Sequence, residues 1–242
     1  MQLYLIRHAQ STNNALDDFA ERVPDPLLTD LGERQKMLLA QHLQQGSNLT
    51  LSIMSAMETP LNFVETEPSA GYGIARLYCS AMARALQTAK PISQTLNLTP
   101  EVWPDIHERG GIYLDPLDDA DQYFGKTRSE ILAEYPTYQL PDTVTDEGWW
   151  PGGYEHPSAF LERATRVAQQ LKSWASRNER IALVTHAGFM NALLQAIFDQ
   201  TNPHLIYRHY NTAITRIDFF PNGRIHLVYL NRVEHLPEPL VS

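Results

Sequence analysis

Apolar positions along the chain fall into two spacings, and they predict alternating strands and helices. Gln2–Ile6 is a short apolar run that stops at Arg7-His8, the pattern of a buried strand. Residues 7–29 are polar and irregular, broken by Pro24 and Pro26. Thr29 caps a predicted helix over about 30–45, with Leu31, Met37, Leu38, Leu39 and Leu43 as its apolar stripe. Residues 46–73 have little periodicity and carry Gly46, Pro60, Pro68, Gly71 and Gly73. They read as a long excursion, of the kind that is usually functional or mobile. Ile74–Cys79 is a second buried strand, followed from Ser80 by a helix over about 82–96, and Glu101–Trp103 is a short third strand. Residues 104–156 are rich in Pro, Gly, Asp and aromatics, with one helix near 127–135. Phe160, Leu161, Ala164, Val167, Ala168 and Leu171 predict a helix over about 157–176. Ile181–Thr185 is the most strand-like run of all, and His186-Ala187-Gly188 opens a helix to about 198. The chain ends in a hairpin, Ala213–Phe220 and Arg224–Leu230 about the turn Pro221-Asn222-Gly223.

Strands alternating with helices predict an α/β fold, a three-layer α/β/α sandwich around a mainly parallel sheet. We expect one domain over residues 1–242, with insertions at about 46–73 and 104–156. In such sheets ligands bind beyond the carboxyl ends of the strands. Strand one delivers Arg7 and His8 there, strand two leads to Ser80 and Arg84, strand three to His107 and Glu108, and strand four to His186. Two arginines, two histidines and a carboxylate are therefore expected at one rim.

Composition narrows the class. At 242 residues, 43% hydrophobic and 19% charged, the chain has the composition of a globular protein and not of a disordered one. A single cysteine, Cys79, excludes an internal disulfide framework and a multi-cysteine metal knuckle. His204 and His209 lack metal spacing with a carboxylate partner, so no zinc site is expected. No apolar run approaches the roughly 18 residues of a membrane span. The stretch Met1–His8 is too short and ends in charge, so it is not a signal peptide, and the cytoplasm is the expected location. A net charge of −9 disfavours a nucleic-acid binder. Converging arginines can still make a local positive pocket in an acidic protein.

Arginine suits phosphate, because its planar fork makes bidentate charge-assisted bonds. Two arginines and two histidines without a carboxylate-rich metal cage point to a phosphoryl group held by protein alone. A neutral imidazole can attack phosphorus, and cationic neighbours disfavour its protonated form. The same cations stabilise the charge spread over the transition state. A nearby carboxylic acid can protonate the leaving oxygen and then activate water.

Leu5-Ile6-Arg7-His8-Ala9-Gln10-Ser11 with Asn14 resembles the Arg-His-Gly signature of the histidine phosphatase superfamily, its phosphoglycerate-mutase-like branch. The likeness runs on through most of the chain. Pro26–Gln35 is similar to the family's Leu-Thr-x-x-Gly-x-x-Gln helix start, and Cys79–Ala89 to its Ser-x-x-x-Arg-Ala-x-Gln-Thr-Ala segment. His107–Gly111 resembles the acid-bearing segment and Leu183–Gly188 the second-histidine segment. The resemblance implies that His8 is the phosphorylated nucleophile, that Arg7, Arg84, His186 and Asn14 hold the phosphoryl group, and that Glu108 is the proton donor. It implies a small phosphorylated substrate and neither cofactor nor metal.

Three features depart from the family pattern. Ala9 stands where glycine is usual, residues 46–73 lengthen one connection, and 109–156 lack the paired arginines and Trp-Glu-Gly run of phosphoglycerate mutases. The last departure favours phosphomonoester hydrolysis over a mutase, with a non-catalytic phosphate or phosphoprotein binder as the other rival. Glu101, Asp105 and His107 are alternative proton donors to Glu108, and Asn14 alone also reads as a turn residue. Asn211 and Asn231–His235 read as fixing the C-terminal hairpin and its exit. Trp149, Trp150, Tyr113 and Tyr123 read equally as a substrate mouth or as loop-packing anchors, and Asp115–Asp121 as a solvated loop. Substrate selectivity is assigned to 104–156 and 46–73.

Overall fold

The structure, a computed structural model, describes residues 1–46, 71–112, 123–200, 202 and 204–242. Among the described residues one mixed sheet is formed by β1 (Gln2–Arg7), β2 (Arg76–Cys79), β3 (Glu101–Val102), β4 (Arg180–Thr185), β5 (Ile214–Phe219) and β6 (Ile225–Arg232). Their spatial order is β3-β2-β4-β1-β5-β6. The first four are parallel: β4 lies between β1 and β2, so Leu183 registers with Leu5 on one side and Tyr78 on the other. β5 runs antiparallel to β1, and β6 to β5, as the predicted hairpin requires.

Side chains alternate across a strand. Leu3 and Leu5 of β1 face one way, and Tyr4 and Ile6 the other, all buried. That double burial needs a helical layer on each face. On the Tyr4–Ile6 face, α1 (Asp30–Gln45) and α2 (Ala83–Leu96) bring Leu39, Leu43, Leu86 and Ile92. On the Leu3–Leu5 face, α4 (Pro157–Ser173) and α5 (Ala187–Ile197) bring Val167, Leu171, Phe189 and Leu193. A short α3 (Arg128–Glu134) lies between β3 and α4. Its start is fixed by a reciprocal capping box of Thr127 and Glu130. The expected three-layer α/β/α sandwich is observed.

Two predicted stripe positions turn outward. Met37 in α1 is 49% exposed and Leu161 in α4 is 53% exposed. In α1 the inward row is Gln35, Leu39 and Leu43, spaced by four residues. Residues 47–70 of the expected excursion, Tyr113 and Asp115–Asp121 lie outside the described residues. Among the described residues no helix is long and apolar enough to cross a membrane.

Candidate active site

Parallel strands bring their carboxyl ends to one edge of the sheet. There Arg7, His8, Asn14, Arg84 and Glu108 border a cavity of about 350 Å³, joined by Arg22, Arg109 and Tyr154. His186 lies behind them, its ring centroid 5.0 Å from that of His8.

His8 directly follows β1. Its Nδ1 is 2.7 Å from the Ala9 carbonyl oxygen, which can only accept, so Nδ1 carries the proton. Its Nε2 then presents a lone pair, which accepts Arg84 Nε–H at 3.1 Å. Both bonds assign the same neutral tautomer. Burial drives the His8 pKa well below the usual range, and the Arg84 and Arg7 guanidiniums push it the same way. Arg84 is itself lowered by burial, opposed by Asp25 and Glu108. Arg7 is lowered to about 10, again by burial first, and stays cationic at neutral pH. Its NH1 donates to the His209 carbonyl at 2.7 Å.

His186 ends β4 and precedes α5. Its Nε2 is 2.9 Å from Ser80 Oγ, and that oxygen already accepts the Met82 N–H. The hydroxyl proton is thus free to go to Nε2, which places a proton on Nδ1. Nδ1 is buried and has no partner within the described residues. It is a buried donor on the ring that packs against His8.

Glu108 accepts three backbone N–H groups: Arg109 at 2.8 Å, Gly188 at 3.1 Å and Phe189 at 2.9 Å. The last two belong to the first turn of α5, where a carboxylate meets unpaired donors and the positive end of the helix dipole. The other acid candidates lie elsewhere. Glu101 pairs with Arg76 at 3.4 Å on the sheet edge. Asp105 and His107 border a second cavity of about 960 Å³, on the far side of the 107–111 segment. That cavity is larger, but its described lining holds no arginine. The smaller cavity is the one lined by arginines.

Gly188 makes the Glu108 seat possible, because a Cβ there would lie 2.5 Å from Glu108 Oε1. Gly188→Ala is therefore expected to displace the carboxylate and keep the fold. We expect kcat/KM for an alkyl phosphate to fall about tenfold or more, with a thermal melt close to wild type. Unchanged kinetics would show that Glu108 does not need this seat.

Asn14 Oδ1 accepts from Ser11 N–H and Oγ–H and from Asn211 Nδ2 at 3.3 Å. Asn211 also donates to the His8 carbonyl at 2.9 Å. It thus braces the His8 turn from the loop before β5, and it also holds the segment after the hairpin, its N–H donating to the Ser242 carbonyl at 2.8 Å. Asn231 does hold the hairpin exit, its Oδ1 accepting Tyr210 N–H. The tryptophans pack against the 107–111 segment and also line the larger cavity. Trp149 and Trp150 enclose the His107 ring at 5.6 and 4.9 Å, and Trp150 lies against Gly111.

The surrounding motif residues brace the same turn. Thr29 Oγ1 caps α1 by accepting Gly32 N–H, and Gly32 is needed because a Cβ would stand 2.1 Å from the Gln10 carbonyl oxygen. Gln35 accepts Gln10 N–H and donates to the Leu240 carbonyl. Thr88 Oγ1 accepts Ala9 N–H and donates to the Arg84 carbonyl. Sequence reasoning missed Asp25, a buried carboxylate 3.8 Å from Arg84 NH1. The only signal for it was a carboxylate fixed between two prolines just before a helix cap.

A family model for the histidine phosphatase superfamily (branch 1) matches residues 3–58 and 67–232. Among solved structures, Bacillus stearothermophilus YhfR is 22% identical, with 97% of this chain and 98% of that chain covered at a TM-score of 0.55. Phosphoserine phosphatase from Entamoeba histolytica, in complex with 3-phosphoglyceric acid, is 19% identical over 98% and 99% of the two chains, with a TM-score of 0.59. A mycobacterial glucosyl-3-phosphoglycerate phosphatase complexed with VO3 is 19% identical over 96% and 99%, with a TM-score of 0.56. At these identities the likeness is one of fold. No curated protein matches the sequence.

Proposed function

The chain belongs to the histidine phosphatase superfamily and is a phosphatase, and on that premise we propose that it hydrolyses a small phosphorylated metabolite through a phosphohistidine at His8. One observation carries the reading. His8 Nε2, unprotonated by both of its ring hydrogen bonds, sits against Arg84 at the wall of a cavity that also holds Arg7 and Glu108.

The phosphoryl group lies among Arg7, Arg84, Asn14 and the His186 Nδ1 donor. Arg84 Nε–H gives up its bond to His8 Nε2, the freed lone pair attacks phosphorus, and the bond from phosphorus to the leaving oxygen breaks. That oxygen takes a proton from the Glu108 carboxyl, so the product departs as an alcohol. In the second half, Glu108 takes a proton from water. The resulting hydroxide attacks phosphorus, and His8 leaves as the neutral imidazole it began as. The two guanidiniums face the equatorial oxygens, where charge spreads in both transition states. A cavity of about 350 Å³ is of a size that takes a small metabolite. The ligands named for related folds, 3-phosphoglyceric acid and VO3, support an anionic substrate of that size.

The test is a panel of phosphomonoesters compared by kcat/KM, with rapid acid-free quenching after labelled substrate. We expect phosphate release and a transient base-stable, acid-labile adduct. Release of phosphate from none of the panel, with no adduct, would overturn the reading. Activity is also expected to survive exhaustive dialysis against EDTA. The cavity offers arginines, one histidine and one carboxylate, a poor donor set for magnesium. Among the described residues no three His, Cys, Asp or Glu side chains are grouped to hold a metal ion. A many-fold loss restored by Mg²⁺ or Zn²⁺ would point instead to metal-assisted chemistry.

A further inference from the structure

Among the described residues, Asp25 is the one buried carboxylate beside the reacting groups that the mechanism above does not use. It stands between Pro24 and Pro26, which both border the phosphate cavity, yet its own side chain is only 2% exposed. Its two oxygens accept the Ala83 N–H at 3.0 and 3.2 Å, at the first residue of α2. Met82, the residue that caps this helix, makes no side-chain cap bond of its own. Asp25 Oδ1 also lies 3.8 Å from Arg84 NH1, one residue further on. Arg84 in turn presents Nε–H to His8 Nε2. A guanidinium is planar, so a carboxylate charge 3.8 Å from NH1 and an acceptor at Nε together bias the orientation of its plane.

We propose that Asp25 is a positioning residue: it fixes the plane of Arg84, and through Arg84 it sets both the phosphate site and the approach to His8. The proposal rests on the phosphatase reading above. A bland alternative is that Asp25 serves only as a remote cap for α2. The two separate cleanly, because an asparagine in its place still accepts the Ala83 N–H but carries no charge to hold Arg84.

The charge state of Asp25 supplies an independent readout. Burial raises its pKa to about 6, opposed by Arg84, the Ala83 N–H and Lys126. Tyr123 is the other titratable group facing it, itself raised to about 12 by burial first and then by Asp25. Above pH about 6 the carboxylate is charged and holds Arg84; below that it is protonated and the hold is lost. Wild type should therefore show an acid limb in kcat/KM that is steeper than one ionisation allows, and Asp25→Asn a limb of single-ionisation steepness. The second ionisation of the substrate phosphate also falls near pH about 6, but it is common to both proteins.

The experiment is a double-mutant cycle of Asp25→Asn and Arg84→Ala, read as kcat/KM on an aryl phosphate and as affinity for inorganic phosphate by calorimetry. At pH 7.5, Asp25→Asn alone should cost about tenfold in both readouts and nothing further once Arg84 is gone. Additive losses, or an acid limb in Asp25→Asn as steep as that of wild type, would overturn the proposal. Circular dichroism and a thermal melt establish that the variant is folded. If it is not, the cycle is run with Asp25→Glu, which keeps the charge and moves it. That variant should lose less than tenfold and keep the steeper acid limb. Failure of the functional reading looks different: wild type binds phosphate through Arg84 but turns nothing over, and the affinity cycle still decides the role of Asp25. A protein that binds no phosphate at all would overturn both.

Discussion

His8→Ala is expected to abolish turnover, with a loss on the order of 10⁴-fold or more, and to abolish the labelled phospho-enzyme. Little else in the cavity can replace the imidazole. Ser11 is tied through its hydroxyl to Asn14 Oδ1. Cys79 is buried one residue before Ser80, and burial pushes its thiol pKa up, away from the reactive thiolate. The substitution leaves Arg84 Nε–H and the Ala9 carbonyl without their ring partner. Unsatisfied buried groups of this kind cost about 1–3 kcal/mol each. A domain stable by about 5–15 kcal/mol should stay folded through that loss. The measurement pairs a quench-flow assay for the adduct with circular dichroism on the same sample. Turnover near the wild-type rate would remove His8 as the nucleophile. An adduct that persists in the folded variant would move the chemistry to His186, the other imidazole at the rim.

The residues that a sequence reader can place are those whose position follows from the chain's own spacing. Arg7, His8, Ser80 and His186 each follow a buried apolar run, and parallel strands end on one side, so their convergence was legible before any coordinates. The residues whose roles spacing leaves incomplete have partners far along the chain. Gln35 falls in the Pro26–Gln35 motif, but its partner, the backbone carbonyl of Leu240, lies far along the chain and leaves it 0% exposed. Asn211 reads as a hairpin residue, and its amide also serves the His8 carbonyl across the sheet edge. Asp25 carries no reading from spacing alone, because its partners are on α2. Periodicity reports which way a side chain points on its own element, and says nothing of a polar partner delivered by another. Adjacent residues show the same limit. His107 and Glu108 were both acid candidates, and only backbone geometry separates them: His107 turns to the Pro104 carbonyl and the tryptophans, Glu108 to the N-terminus of α5.

Glu108→Gln is expected to separate leaving groups. An alkyl phosphate departs as a basic alkoxide and needs a proton in the transition state, whereas p-nitrophenolate departs with little help. General-acid assistance is worth about 10²–10⁴-fold. The alkyl substrate should lose roughly that factor in kcat/KM, the parameter that reports phosphorylation of His8. The aryl substrate should lose far less in the same parameter. Its kcat should still fall, because hydrolysis of the phosphohistidine requires the carboxylate to take a proton from water, and the adduct should accumulate in the variant. A glutamine amide has a single acceptor oxygen for the Arg109, Gly188 and Phe189 N–H groups, which the carboxylate shares between two. Some seating is therefore lost as well, and this geometric loss should reach both substrates alike. The ratio of the two kcat/KM losses is thus the informative quantity, since displacement cancels in it and proton donation does not. Equal losses would strip Glu108 of the acid role and leave it as the residue that seats the start of α5.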